Sequence, residues 1–382
     1  MKINNRLNEI QEYHFKKIED IKENLIKSGK DILDLSIGDP DLPVNNDIVN
    51  ELISATNKKK FNMYPPYEGI KELKTAIIKY YREVFGVKLE LDEVLVLIGS
   101  KEGINNIIPA VCNIGDYVVV PNPCYQVYVT SPKLWGAIPY KVPILGKNKY
   151  LPILSNIPEN IVKKSKLFII NYPNNPTGAE GNEEFYKEIV SFCNKRDIIL
   201  VNDSAYIEIV NSGKRPVSLL QYDKEKTSIE IGTFSKTFNM TGFRIGYAVG
   251  NSKVINALLK IKSNVDSGQF MPIQYAAAKA LSLDRNIIEK NKKIYDERRN
   301  CAKNILKSKN IKFYDSEAAF YIWCNVPKNY TTTEFCEKLI NDYGIIVTPG
   351  NSFGDVSNTY FRISLTRDIK LIEKYLCKIQ QF

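Results

Sequence analysis

The chain has 382 residues, which is long for a single core and points to two lobes. It is 44 % hydrophobic and 25 % charged, with no apolar run long enough to span a bilayer; this suits a soluble globular protein without a membrane partner. The net charge of +10 does not argue for nucleic acid, because only ten of the 53 basic residues are arginine and the lysines are dispersed.

The polar start, "MKINNRLNEIQEYHFKK", lacks the apolar centre of a secretory signal, so a cytoplasmic location is expected. An N-terminal helix is predicted, with Ile10, His14, Ile18, Ile21 and Leu25 on its apolar face. His14 is the single histidine of the chain, and that position assigns it to packing. A histidine triad or a histidine-rich metal site is therefore not expected. The seven cysteines never fall in C-x-x-C spacing, which suits reduced thiols and neither a zinc site nor a disulfide framework.

"DILDLSIGDPDLP" reads as a short strand ending in turn chemistry. Lys58-Lys59-Lys60 reads as a solvated loop. Ile70, Leu73, Ile77, Tyr80 and Val84 are spaced by three and four, the pattern of an amphipathic helix that Gly86 stops. Strands then alternate with helices: "EVLVLIGS", "DYVVVP", "KLFIINYP", "DIILVNDS" and "SIEIGTFS" are strands, while "KEGINNIIPAVC" and "EEFYKEIVSFCNKR" are helices. Continuous apolar strands in such an alternation predict an α/β fold with a mostly parallel sheet covered by helices on both faces. Beyond residue 286 a long helix, two strands and an intervening helix predict a smaller α+β domain. The expected division is 46–285 for the large domain, with 1–45 and 286–382 forming an N-terminal arm and the small domain.

Ligands of open α/β sheets bind beyond the carboxyl ends of the strands. The unusual residues of this chain fall there. Ser100 and Lys101 open a helix directly after a strand, where backbone N–H groups and the helix dipole favour an anion. Ser235 and Thr233 can donate to phosphate oxygens, and Arg244 can grip a phosphate as a fork. Lys236 can form an imine with an aldehyde. Together they suit an aldehyde that carries a phosphate, and pyridoxal 5′-phosphate is that cofactor. Asp203 can pair with its ring nitrogen, Asn175 and Tyr206 can bond its phenolic oxygen, and Tyr125 can cover its ring.

"NYPNNPTG" and "TFSKTFNMTGFRIGYAVG" resemble the two most specific motifs of the class I/II aminotransferases, fold-type-I pyridoxal phosphate enzymes; the resemblance covers nearly the whole chain. It implies Lys236 as the Schiff-base lysine, Asp203 as partner of the pyridine nitrogen, and Asn175 with Tyr206 at the phenolic oxygen. It places Tyr125 on the ring, and Ser100, Lys101, Ser235 and Arg244 at the phosphate. Tyr64 in "YPPYEG" would reach the phosphate of a neighbouring subunit, so a homodimer with shared active sites is implied. Arg362 in "YFRISLT" would bind the substrate α-carboxylate, with Gly38 of "IGDPD" and the loop "PGNSFG" near it.

Within the family, "KSNVDSGQFMPIQYAAAKAL" and "IGDPDLP" most resemble the LL-diaminopimelate aminotransferase branch. The expected reaction moves an amino group from an amino acid, here LL-diaminopimelate, to a 2-oxo acid such as 2-oxoglutarate, with ping-pong kinetics. Tyr67, Glu68, Lys101 and Ser267 are candidates for the distal substrate pocket. The alternatives are an aspartate, alanine or aromatic aminotransferase, and a C–S β-lyase on the same site.

Overall fold

The computed structural model describes residues 4–10, 22, 23, 25, 27, 29–58 and 60–382. His14, Ile18 and Ile21 of the predicted N-terminal helix, and Lys59 of the lysine run, lie outside the described residues.

Seven strands form the main sheet: β2 (Val94–Leu97), β3 (Tyr117–Asn122), β4 (Ile138–Pro143), β5 (Ser165–Ile170), β6 (Ile199–Asp203), β7 (Ile229–Thr233) and β8 (Gly246–Gly250). Their order is β2-β8-β7-β6-β5-β3-β4. From β4 through β7 all pairings are parallel, and β8 alone runs antiparallel to both its neighbours. The predicted α/β sheet is therefore present with one reversed strand. Neither β4 nor β8 is among the predicted elements. β4 is an edge strand whose residues are mostly not buried, so it lacks the continuous apolar signal of the strands inside the sheet.

Helices cover both faces. Helix Lys71–Phe85 buries Leu73, Ile77, Tyr80 and Tyr81 and ends at Gly86, as the spacing predicts. Packing against helix Met271–Ser282 joins it to one apolar core, which also holds Val94, Val96 and Tyr247. Helix Ser100–Val111 packs on the other face, where Ile104, Ile107 and Ile108 meet Leu95, Val118 and Ile231.

A second, three-stranded antiparallel sheet has the order β11 (Thr348–Pro349), β12 (Tyr360–Ser364), β9 (Tyr321–Asn325). The strand β1 (Leu33–Asp34) pairs in parallel with β10 (Ile345–Ile346) beside it. Their shared core takes in Ala302 and Leu306 of helix Asn286–Ser308 and Phe335 of helix Thr332–Tyr343. It also takes in Ala205, Tyr206 and Ile209, from the loop that follows β6. That loop ties the end of the main sheet to the second one, and the candidate site lies where they meet.

Candidate active site

A cavity of about 360 Å³ lies at the carboxyl ends of the main-sheet strands. Its wall holds Ser100, Lys101, Tyr125, Asn175, Asp203, Tyr206, Ser235, Lys236, Arg244, Gly38 and Arg362. Residues spread over more than 300 positions thus converge because each stands just past a strand or on a facing segment.

At the end of β7, Thr233 caps the short helix Phe234–Thr237, accepting from the Ser235 N–H at 3.2 Å. Its hydroxyl lies 2.9 Å from that of Ser235. The single turn of this helix carries Lys236, whose Nζ donates to the Gly38 carbonyl at 2.8 Å. Burial pushes the Lys236 ammonium down from 10.5 to about 8; Asp39 pulls the other way, and Arg244 and Arg362 add to the depression. An amine in that range is neutral in a useful fraction near neutral pH and can take a proton.

Asp203 ends β6 and is buried. Tyr128 donates its hydroxyl to it at 2.6 Å, and the Ala205 N–H donates at 3.2 Å. Burial pushes the Asp203 carboxyl up from 3.8 to about 6, against the pull of the Tyr128 and Ala205 hydrogen bonds and of Lys236. A carboxylate so placed favours a cation opposite it.

Two jaws face each other in an arrangement suited to an anion. Gly99, with φ +79°, precedes helix Ser100–Val111, and Arg244, with φ +53°, brings its guanidinium across from the other side. A Cβ on Gly99 would stand 2.7 Å from Arg244 Nη2, so only glycine lets the jaws approach this closely without displacement. Arg244 Nη1 donates to the Thr241 carbonyl at 2.8 Å.

On the facing side Arg362 is 2 % exposed. Its guanidinium carbon sits 4.1 Å from the Tyr321 ring centre and 4.8 Å from that of Phe353. Nη1 donates to Asn175 Oδ1 at 2.7 Å, and Nη2 to the Ser36 carbonyl and to Thr348 Oγ1. Its Nε is buried without a hydrogen-bond partner among the described residues. Gly38 lies so close to Tyr321 that a Cβ there would fall 1.9 Å from the phenol oxygen. Tyr206 meets Tyr321 hydroxyl to hydroxyl at 2.9 Å.

Among the predicted site residues, Tyr64 does not join this wall; it is 87 % exposed. Of the distal-pocket candidates, Lys101 lines the cavity, while Tyr67, Glu68 and Ser267 do not. Glu68 instead pairs with Lys74 at 2.8 Å. Sequence reasoning missed Tyr128 and Tyr321, while the loop "PGNSFG" that it set near the carboxylate supplies Phe353. Tyr128 could have been found from its spacing, one helical turn beyond Tyr125. It gave no role to Asn171, the first residue of "NYPNNPTG", which accepts from the Asn175 N–H and donates to the Asp203 carbonyl, both at 2.7 Å, locking two site loops together.

The comparisons with known proteins agree with this geometry. The family model "Aminotransferase class I and II" matches residues 30–379. An LL-diaminopimelate aminotransferase of Halothermothrix orenii is 42 % identical over 377 residues, covering 98 % of this chain and 97 % of that protein. One of Aquifex aeolicus is 42 % identical over 363 residues, covering 94 % of each. Among solved structures, substrate-bound BacF of Bacillus subtilis superposes with a TM-score of 0.96 at 33 % identity, covering 100 % of this chain and 98 % of that one. The chain belongs to the class I and II aminotransferases, fold-type-I enzymes that depend on pyridoxal phosphate.

Proposed function

We propose that this aminotransferase holds pyridoxal 5′-phosphate in the cavity and takes LL-diaminopimelate as amino donor and 2-oxoglutarate as acceptor. Three features support the cofactor. Lys236 offers a buried amine of depressed basicity. Asp203 offers a buried carboxylate with no cation among the described residues within hydrogen-bond reach. The Gly99–Arg244 cradle, with Ser100 and Ser235, offers phosphate donors. When bound, the cofactor supplies a carbonyl carbon for amino groups and a ring that accepts the electron pair left at the substrate Cα.

The chain's own residues do the rest. Arg362, whose guanidinium carbon lies over the rings of Tyr321 and Phe353, binds the α-carboxylate. Asn175 turns its side-chain oxygen to Arg362, which orients the fork. Lys236, as a neutral amine, would take the proton from Cα and deliver it to the carbon that the cofactor contributes as carbonyl, so that the amino group stays with the cofactor. With the cofactor bound, Asp203 would favour a positive charge on its ring nitrogen, and the hydrogen bonds from Tyr128 and Ala205 favour the ionised Asp203. Among the residues lining the cavity, Tyr125 would cover the ring, Asn175 and Tyr206 would bond its phenolic oxygen, and Lys101 with Ser100 would hold the phosphate. Tyr64, out on the surface, serves a second copy's phosphate in a homodimer.

The observation that carries the donor is the near-complete alignment with LL-diaminopimelate aminotransferases at 42 % identity. The test is absorbance of the purified, pyridoxal phosphate-loaded protein as single amino acids are added without acceptor. Conversion to the pyridoxamine spectrum by LL-diaminopimelate and by glutamate is expected. Conversion by aspartate, alanine or tyrosine alone overturns the donor. Release of ammonia from a β-substituted amino acid without conversion identifies a lyase instead.

A further inference from the structure

The segment from Lys262 to Gln269 lines no part of the cavity, yet it holds a buried charge that the chemistry above does not use. Lys262, on helix Ser252–Val265, has a side chain only 1 % exposed. Its Nζ donates to Glu102 at 2.9 Å and to Asp266 at 2.8 Å. A buried ammonium is costly unless paired and hydrogen-bonded, and here two carboxylates share it.

Each carboxylate also holds a backbone N–H next to one jaw of the anion site. Glu102 accepts from the Ile98 N–H, directly before Gly99 and Ser100. Asp266 accepts from the Gly268 N–H at 2.7 Å. Gln269 follows, buried, and donates to the carbonyls of Phe243, at 3.1 Å, and of Arg244. The ring of contacts then closes, because the Arg244 guanidinium stands against Gly99. Both jaws are therefore tied, through one carboxylate each, to the same ammonium.

We propose that Lys262 is a positioning residue for the phosphate site: by clamping Glu102 and Asp266 together it sets the distance between the Gly99–Ser100 jaw and the Arg244 jaw. This rests on the reading of the cavity as a pyridoxal phosphate site. Without the ammonium, two partly buried carboxylates stand close together and repel. They spread the jaws, and they place uncompensated negative charge behind a site built for a dianion. Lys262 touches neither cofactor nor substrate.

The test compares dissociation constants for pyridoxal phosphate and for pyridoxal, which lacks the phosphate, in wild type, K262M, E102Q/K262M and D266A. K262M is expected to bind pyridoxal phosphate at least tenfold more weakly while its affinity for pyridoxal changes less than twofold. E102Q/K262M, with one carboxylate neutralised, is expected to recover at least threefold of the loss. D266A, at a partly exposed position the fold should tolerate, is expected to lose pyridoxal phosphate affinity several-fold and pyridoxal affinity not at all. Equal losses for both ligands, or K262M and D266A binding pyridoxal phosphate as wild type does, overturn the proposal while leaving the site reading intact. A wild-type protein that binds pyridoxal but discriminates nothing in favour of pyridoxal phosphate overturns both.

Discussion

Tyr128 donates its hydroxyl to the Asp203 carboxylate at 2.6 Å, and both groups are buried. The bond holds the carboxylate ionised where burial alone would protonate it. Replacing Tyr128 by Phe removes a hydrogen bond to a charged group, worth roughly 1.5–3 kcal/mol, or about one to two pH units of Asp203. Asp203 then titrates above its present value of about 6, near neutral pH. In Y128F the affinity for pyridoxal phosphate is expected to fall about tenfold more than in wild type between pH 8 and pH 6. Parallel profiles for the two proteins would remove Tyr128 from this role.

Asp203 and Lys236 also set the pH dependence of the cofactor-free protein. The Asp203 carboxyl is raised from 3.8 to about 6, so its stabilising contribution is full below 3.8 and is lost as pH rises through about 6. The Lys236 ammonium is lowered from 10.5 to about 8, so its contribution is full above 10.5 and is lost as pH falls through about 8. At pH 7 both groups are charged in a place that disfavours charge. D203N and K236M are each expected to stabilise the cofactor-free protein at pH 7, by up to roughly 3 kcal/mol at about 1.4 kcal/mol per pH unit. Calorimetry at several pH values checks this: the gain in D203N should vanish near pH 4, where wild-type Asp203 is already neutral. Unchanged Tm for both variants at pH 7 would contradict it.

Arg362 combines two ring contacts with a fork aimed by Asn175. Lysine keeps the charge and loses both the fork and the flat face. R362K is expected to lower kcat/KM by about a hundredfold, roughly 3 kcal/mol, mostly through KM for the amino acid. Steady-state kinetics with the donor varied reads this out. A loss confined to kcat would mean that Arg362 does not bind the carboxylate.

Gly99 stands at a positive φ with Arg244 over the place of its missing Cβ. G99A therefore strains the backbone, by about 1–3 kcal/mol, and pushes the guanidinium away. Pyridoxal phosphate affinity is expected to drop at least tenfold in equilibrium dialysis, with pyridoxal much less affected. An unaltered affinity would show that Arg244 can move at no cost.

Local pattern sufficed wherever the chemistry stands at a strand end. The apolar runs closing in Asp203 and Thr233, and the helix opening at Ser100, announce both the sheet and the residues it presents. The two family motifs then attach roles to Asn175, Lys236 and Arg244 without any structure. Strand direction is different: an apolar run is equally compatible with either sense, so the reversal of β8 is decided by its neighbours in the sheet.

The amino-acid sequence by itself determined the α/β alternation, the family and the residues standing at strand ends, because period and motif are properties of neighbours along the chain. Only the tertiary structure decided which side chains from distant segments meet. Tyr128 joins Asp203 across 75 positions and Lys262 joins Glu102 across 160. Arg362 finds Asn175 187 positions away. Such partners are chosen by packing, which brings buried polar groups together because leaving any one of them unpaired costs more than the order needed to pair it.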